Sequence, residues 1–174
     1  MIKLFLSYHF VDDSFIRLVS YYLGKQETLQ PYCWTVDGSA DGNFPPQIRT
    51  ALLESDVFLL FLGEKLGETQ IKEVNAVIYG LTIEKTILIK LGAVEIPDSI
   101  AEVRLWDSIP QDNYEDEDHA LACARTIVTQ GLQLPWREED GVPEGYAWKS
   151  IEGFTKGLGS QRRQGLCRSG QVAL

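Results

Sequence analysis

Cysteine is scarce in this chain. Cys33, Cys123 and Cys167 are odd in number and widely scattered, which excludes a disulfide framework and suits a reduced compartment. Histidine is scarcer still: His9 and His119 alone cannot assemble a zinc-ligand spacing, so no metal is expected. No apolar run approaches a membrane span, since the longest, Val57 to Leu62, is only as long as a buried strand. The opening residues Met1–Ser7 hold too short an apolar run for a secretory leader and no small-residue cleavage site. A cytoplasmic protein with no membrane partner is therefore expected. There is no Gly-x-Gly-x-x-Gly fingerprint, internal repeat or low-complexity tract. Positive charge is also short. Residues 1–132 hold 10 Lys/Arg against 20 Asp/Glu, net -10, and residues 133–174 hold 6 against 5, net +1. That field opposes non-specific nucleic-acid binding and leaves small molecules and proteins as the expected partners.

What is present is an ordinary globular composition, 44% hydrophobic and 24% charged, in 174 residues: enough for one domain with a proper core plus an extension. Strand-like and helix-like segments alternate. Ile2–Ser7 reads as a first strand. Asp12-Asp13-Ser14 offers an N-cap for a helix carrying Phe15, Leu18, Val19, Tyr22 and Leu23 at helical spacing, with Gly24 placed to stop it. Tyr32–Val36 is aromatic and β-branched, a second strand. Asp37–Pro46 is a loop, and Pro45 and Pro46 can start a helix with apolar positions at Ile48, Leu52 and Leu53.

Val57–Leu62 shows no alternation, which predicts a central parallel strand covered on both faces. Ile71, Val74, Ile78 and Leu81 mark a helix, Thr86–Leu91 another strand and Val103–Trp106 a short fifth one. Glu117–Val128 is a closing helix with acidic charge at its start, where the macrodipole favours it. The expected fold is α/β: a flavodoxin-like doubly wound five-stranded parallel sheet with helices on both faces, over residues 1–132. Residues 133–174 read as a C-terminal extension or the start of a truncated region, because such a stretch cannot form a second core.

Ligands of open α/β sheets bind beyond the carboxyl ends of the strands. That rule selects Tyr8-His9-Phe10, Asp37–Phe44 and Gly63–Glu73, which together supply two aromatics, a glycine-flanked loop and a carboxylate at a helix start. The same segments carry a resemblance. Phe5-Leu6-Ser7-Tyr8 resembles the box that opens Toll/interleukin-1 receptor (TIR) domains. Cys33-Trp34-Thr35-Val36-Asp37 with Gly42-Asn43-Phe44 resembles that family's second strand and BB loop. Ala51–Leu62 is similar to its third helix-strand junction, and Ile71-Lys72-Glu73-Val74 falls where NAD+-cleaving TIR domains place their catalytic glutamate. Many of those enzymes carry a tryptophan four residues before the glutamate, where this chain has Thr69.

The resemblance implies N-glycosidic cleavage of NAD+ as substrate, with no further cofactor. Glu73 would be catalytic, and Tyr8, His9, Asp37, Gly42 and Phe44 would meet substrate. It also implies self-association through TIR–TIR contacts and a role in bacterial, anti-phage immunity. Two alternatives stand beside it: a non-enzymatic TIR scaffold, and a nucleoside deoxyribosyltransferase-like enzyme, whose further acid near the nucleophile is not visible in the sequence. Plainer roles also fit the residues. A glutamate in a first helical turn is ordinarily a solvated charge favoured by the dipole, a lone histidine is more often structural, and Gly38 and Gly42 serve as turn residues.

Overall fold

The structure, a computed structural model, describes residues 1–33, 46–80, 83, 85–101, 107–114 and 116–137. Its elements are β1 (Ile2–Ser7), a 3-10 turn (Phe10–Asp12), α1 (Asp13–Gly24), β2 (Leu29–Cys33), α2 (Pro46–Leu53) and β3 (Val57–Leu62). They continue with α3 (Glu68–Gly80), β4 (Lys85–Leu91), α4 (Asp98–Ala101), β5 (Asp107–Gln111) and α5 (Glu117–Thr126), whose last turn widens over Ile127–Gly131. The five strands are all parallel, in the order β2-β1-β3-β4-β5. This is the flavodoxin-like α/β fold that the alternating pattern predicts. No described helix is long and apolar enough to cross a membrane.

Burial explains the sequence pattern strand by strand. All six residues of β3 are buried, as the absence of alternation requires of a central strand. On one face, Phe5, Phe58, Leu60, Leu62 and Leu88 pack with Ile48 and Leu52 of α2, Val74 and Val77 of α3 and Ile100 of α4. On the other, α1 and α5 pack together. The edge strands differ from expectation. β2 starts at Leu29 and carries Pro31, and β5 (Asp107–Gln111) carries Pro110; the expected strand Val103–Trp106 lies outside the described residues. Each proline sits on a strand with a neighbour on one side only, where a missing N–H costs no second ladder.

The helix boundaries also sharpen the reading. Leu53 is 59% exposed, so α2 buries Ile48 and Leu52 alone. The first helix starts one residue after Asp12, but the Asp12 side chain makes no capping bond; His9 instead caps the 3-10 turn, accepting from the Val11 N–H at 3.4 Å. α5 is capped by Asp116, which accepts from the His119 N–H at 3.0 Å.

In α3 the buried stripe is Gln70, Glu73, Val74 and Val77, not the apolar set Ile71, Val74, Ile78, Leu81. Ile71 is exposed, and Leu81 lies outside the described residues. The first compact unit runs from Met1 to Arg137. Its last residues are bound to it: the Gln26 amide both donates to the Arg137 carbonyl and accepts from the Arg137 N–H, each at 3.1 Å.

Candidate active site

In this strand order the chain turns one way from β1 to β2 and the other way from β3 to β4. The crevice between the carboxyl ends of β1 and β3 is thus the topological switch point, where doubly wound sheets bind ligands. Two short connections frame it, Tyr8–Asp12 after β1 and Gly63–Gly67 after β3.

Glu73 is fixed here by a chain of local causes. The Gln70 side chain reaches back to accept from the Gly67 N–H at 3.0 Å, one half of a capping box that starts α3 at Glu68. The same amide donates to the Phe61 carbonyl at 3.0 Å, tying the helix start to the end of β3. One turn on from Gln70, Glu73 therefore lies in the second turn, over the sheet, rather than at the solvated helix start that the spacing suggested. It is 5% exposed.

From below, strand periodicity turns Ser7 to the same face as Phe5, opposite Leu60 in the register. The Ser7 hydroxyl donates a short hydrogen bond to Glu73 Oε2. Burial pushes the Glu73 carboxyl up to about 8, against the opposing effect of the Ser7 bond. No charged group among the described residues contributes to that shift.

The first turn is tied to α1 and β2. The Tyr8 hydroxyl donates to Asp13 Oδ1 at 2.8 Å and lies 3.1 Å from Cys33 Sγ, while Asp13 also receives Arg17 Nε at 3.0 Å. This network belongs to α1 and the edge strand β2, so the Tyr8 hydroxyl and the Glu73 carboxyl are held by different elements. Burial raises the Tyr8 phenol far above its ordinary value. His9 lies against the β3–α3 connection, where a Cβ on Gly67 would stand 3.0 Å from its Cδ2, and stacks on Phe10. Burial, then the charge of Lys65, lowers the His9 imidazole. Asp37, Gly42 and Phe44 lie outside the described residues.

Three polar groups at this edge were not singled out from the sequence: Ser7, Gln70 and Asp12. Asp12 is 8% exposed, its Oδ2 has no hydrogen-bond partner among the described residues, and burial with the nearby Glu64 pushes its carboxyl up to about 6. It fits only because Gly63 has no side chain: a Cβ there would stand 2.6 Å from Asp12 Oδ2. The spacing 70, 73, 74, 77 was a legible signal for Gln70, and two-residue periodicity from Phe5 was one for Ser7.

Chemically, this edge offers two buried carboxyls raised towards neutral pH, Glu73 held by the Ser7 hydroxyl and Asp12 without a described partner, and the His9 imidazole against Gly67. Among the described residues no cluster of three or more His, Cys, Asp or Glu could hold a metal ion. In comparisons with known proteins, the chain matches no protein-family model and no curated protein.

Proposed function

We propose that this chain is a TIR-type NAD+ hydrolase or cyclase, cleaving the bond between nicotinamide and ribose with Glu73 as its catalytic carboxylate. The observation that supports it most is the Glu73 carboxyl itself: buried at the switch point, held by Ser7, and free of any described cationic partner. A carboxyl strongly perturbed by burial in such a crevice is a candidate functional group.

The chemistry suits a single carboxylate. Nicotinamide leaves as a neutral base from a cationic ring, so no general acid is needed. The transition state gathers positive charge on the ribose, which one buried carboxylate stabilises more strongly than it would in water. The cationic nicotinamide ring itself favours the ionised form of Glu73 on binding. His9, with Asp37, Gly42 and Phe44 of the segment that follows β2 in the sequence, is proposed to meet substrate, while Tyr8 braces the first turn through Asp13 and Cys33. The proposed setting is cytoplasmic bacterial immunity, with self-association through TIR–TIR contacts.

The test is NAD+ consumption by concentrated protein, with Glu73→Ala and Glu73→Gln beside the wild type. Wild-type turnover with a loss of about 100-fold or more in both variants is expected. Equal consumption in all three excludes Glu73. A scaffold that only self-associates is the second reading. Concentration-dependent assembly without NAD+ turnover in any assembled state would establish that reading instead.

A further inference from the structure

We infer that Ser7 is the positioning residue of Glu73: its hydroxyl, delivered by the last residue of β1, orients the carboxyl at the switch point. This rests on the reading of Glu73 as the working carboxylate, and it concerns a residue that reading leaves without a role.

Apart from Gln70, whose amide is spent on Gly67 and Phe61, the layer in which the pair sits is apolar. Phe5, Phe58, Leu60 and Leu62 of the sheet face Val74 and Val77 of α3, and the Ser7–Glu73 bond lies among them. Ser7 is 1% exposed and Glu73 5%. A serine and a glutamate buried together are a poor way to stabilise this layer, since apolar residues of similar volume would fill it without the desolvation cost. Both ends of the pair are also held independently. Ser7 lies in the β1–β3 ladder opposite Leu60, and α3 is fastened to the neighbouring residue Phe61 through Gln70. The two residues are thus also placed by the sheet ladder and by the helix start.

Ser7 is the one hydrogen-bond partner of the Glu73 carboxyl among the described residues, and no described lysine, arginine, histidine or acid contributes to its ionisation. A serine hydroxyl that donates to a carboxylate favours its charged form. It therefore opposes desolvation, the larger effect, and supplies the specific stabilisation of the ionised state that the proposed chemistry requires. It also fixes Oε2, so the direction in which the second oxygen points follows from the strand rather than from free rotation of the side chain.

The experiment uses the full chain as wild type, Ser7→Ala, Ser7→Thr and Ser7→Cys. The Glu73 carboxyl titration is followed by carbon NMR of glutamate-labelled protein, assigned through Glu73→Gln, and the pH profile of NAD+ consumption is measured in parallel. Ser7→Ala is expected to move the titration upward by about one pH unit, a tenfold fall in the ionised fraction below the midpoint, and to move the activity profile with it. Ser7→Thr, which keeps the hydroxyl, restores both. Ser7→Cys, a weaker donor of similar size, falls between them and covers any loss of folding in the alanine variant. A Glu73 titration unchanged in Ser7→Ala and Ser7→Cys overturns the assignment, whether or not activity falls. A shifted titration in a protein that consumes no NAD+ in any form upholds the assignment of Ser7 and overturns the NAD+ reading alone.

Discussion

Glu73 couples the proposed chemistry to the stability of the fold through one proton. Its folded-state value of about 8 lies above the 4.5 of an ordinary glutamate, because burial penalises the charged form more than Ser7 supports it. Between those two values the folded chain keeps a proton that the unfolded chain has released. The stability from this group is therefore complete below about 4.5 and is lost as pH rises through about 8, with a slope of at most ~1.4 kcal/mol per pH unit. Asp12 acts in the same direction over a lower window, from its ordinary 3.8 to about 6, and the lowered His9 acts oppositely up to its ordinary 6.5, so of these groups Glu73 governs the range from about 6.5 to about 8. Glu73→Gln is uncharged at every pH and keeps an oxygen that can accept from Ser7. Its urea midpoint should change little across that range, and at about pH 9 it should exceed the wild type's. Midpoints that fall in parallel for both proteins would show that Glu73 is not held as a neutral acid.

The β1–α1 and β3–α3 connections meet at the Asp12–Gly63 contact, and the packing there is a property of the two elements together. Gly63→Ala puts a methyl where the Asp12 carboxylate now sits, at 2.6 Å from Oδ2, and the carboxylate has no other described partner to turn towards. A loss of ~1–3 kcal/mol is expected from this overpacking. Asp12→Ala in the same chain should recover most of it, and a double-mutant cycle measures the coupling. Additive losses would place the strain elsewhere.

The elements that frame this contact were legible in the sequence to different degrees. β3 announces itself as a continuous apolar run because both its faces are covered, and β1 shows the same in Leu4-Phe5-Leu6. The edge strands do not: Pro31 and Pro110 read as breakers, and only the sheet order shows that neither interrupts a two-sided ladder. In α3 two of the four buried positions are polar, so hydrophobic periodicity caught Val74 and the partly buried Ile78 but passed over Gln70, and Glu73 was singled out by its place in an ordered set of segments. Partial cover of Glu73 was legible from the side it shares with Val77; its full burial was not, since that follows from the Gln70 bonds that set where the helix starts.

At the scale of the molecule, the first compact unit extends past the helix that closes the sheet, to Arg137. Leu134 N–H donates to the Val128 carbonyl at 2.9 Å, and Gln26, 4% exposed, spends both ends of its amide on the Arg137 backbone. Gln26 lies between α1 and β2, so these bonds join the end of the unit to its first helix-strand turn. A chain ending at Leu132 leaves that buried amide without partners, at a cost of ~1–3 kcal/mol. A chain ending at Arg137 keeps them. The shorter fragment should therefore melt roughly 5–10 °C below the longer one. Arg137→Ala in the longer fragment separates backbone from side chain. The Arg137–Glu27 ion pair, at 2.8 Å, is exposed on both sides and contributes ~0–1 kcal/mol, whereas the alanine backbone still closes both Gln26 bonds. That variant should melt close to the longer fragment, and Gln26→Ala close to the shorter one. If Arg137→Ala instead falls as far as the truncation, the guanidinium and not the buried amide holds the end of the unit in place.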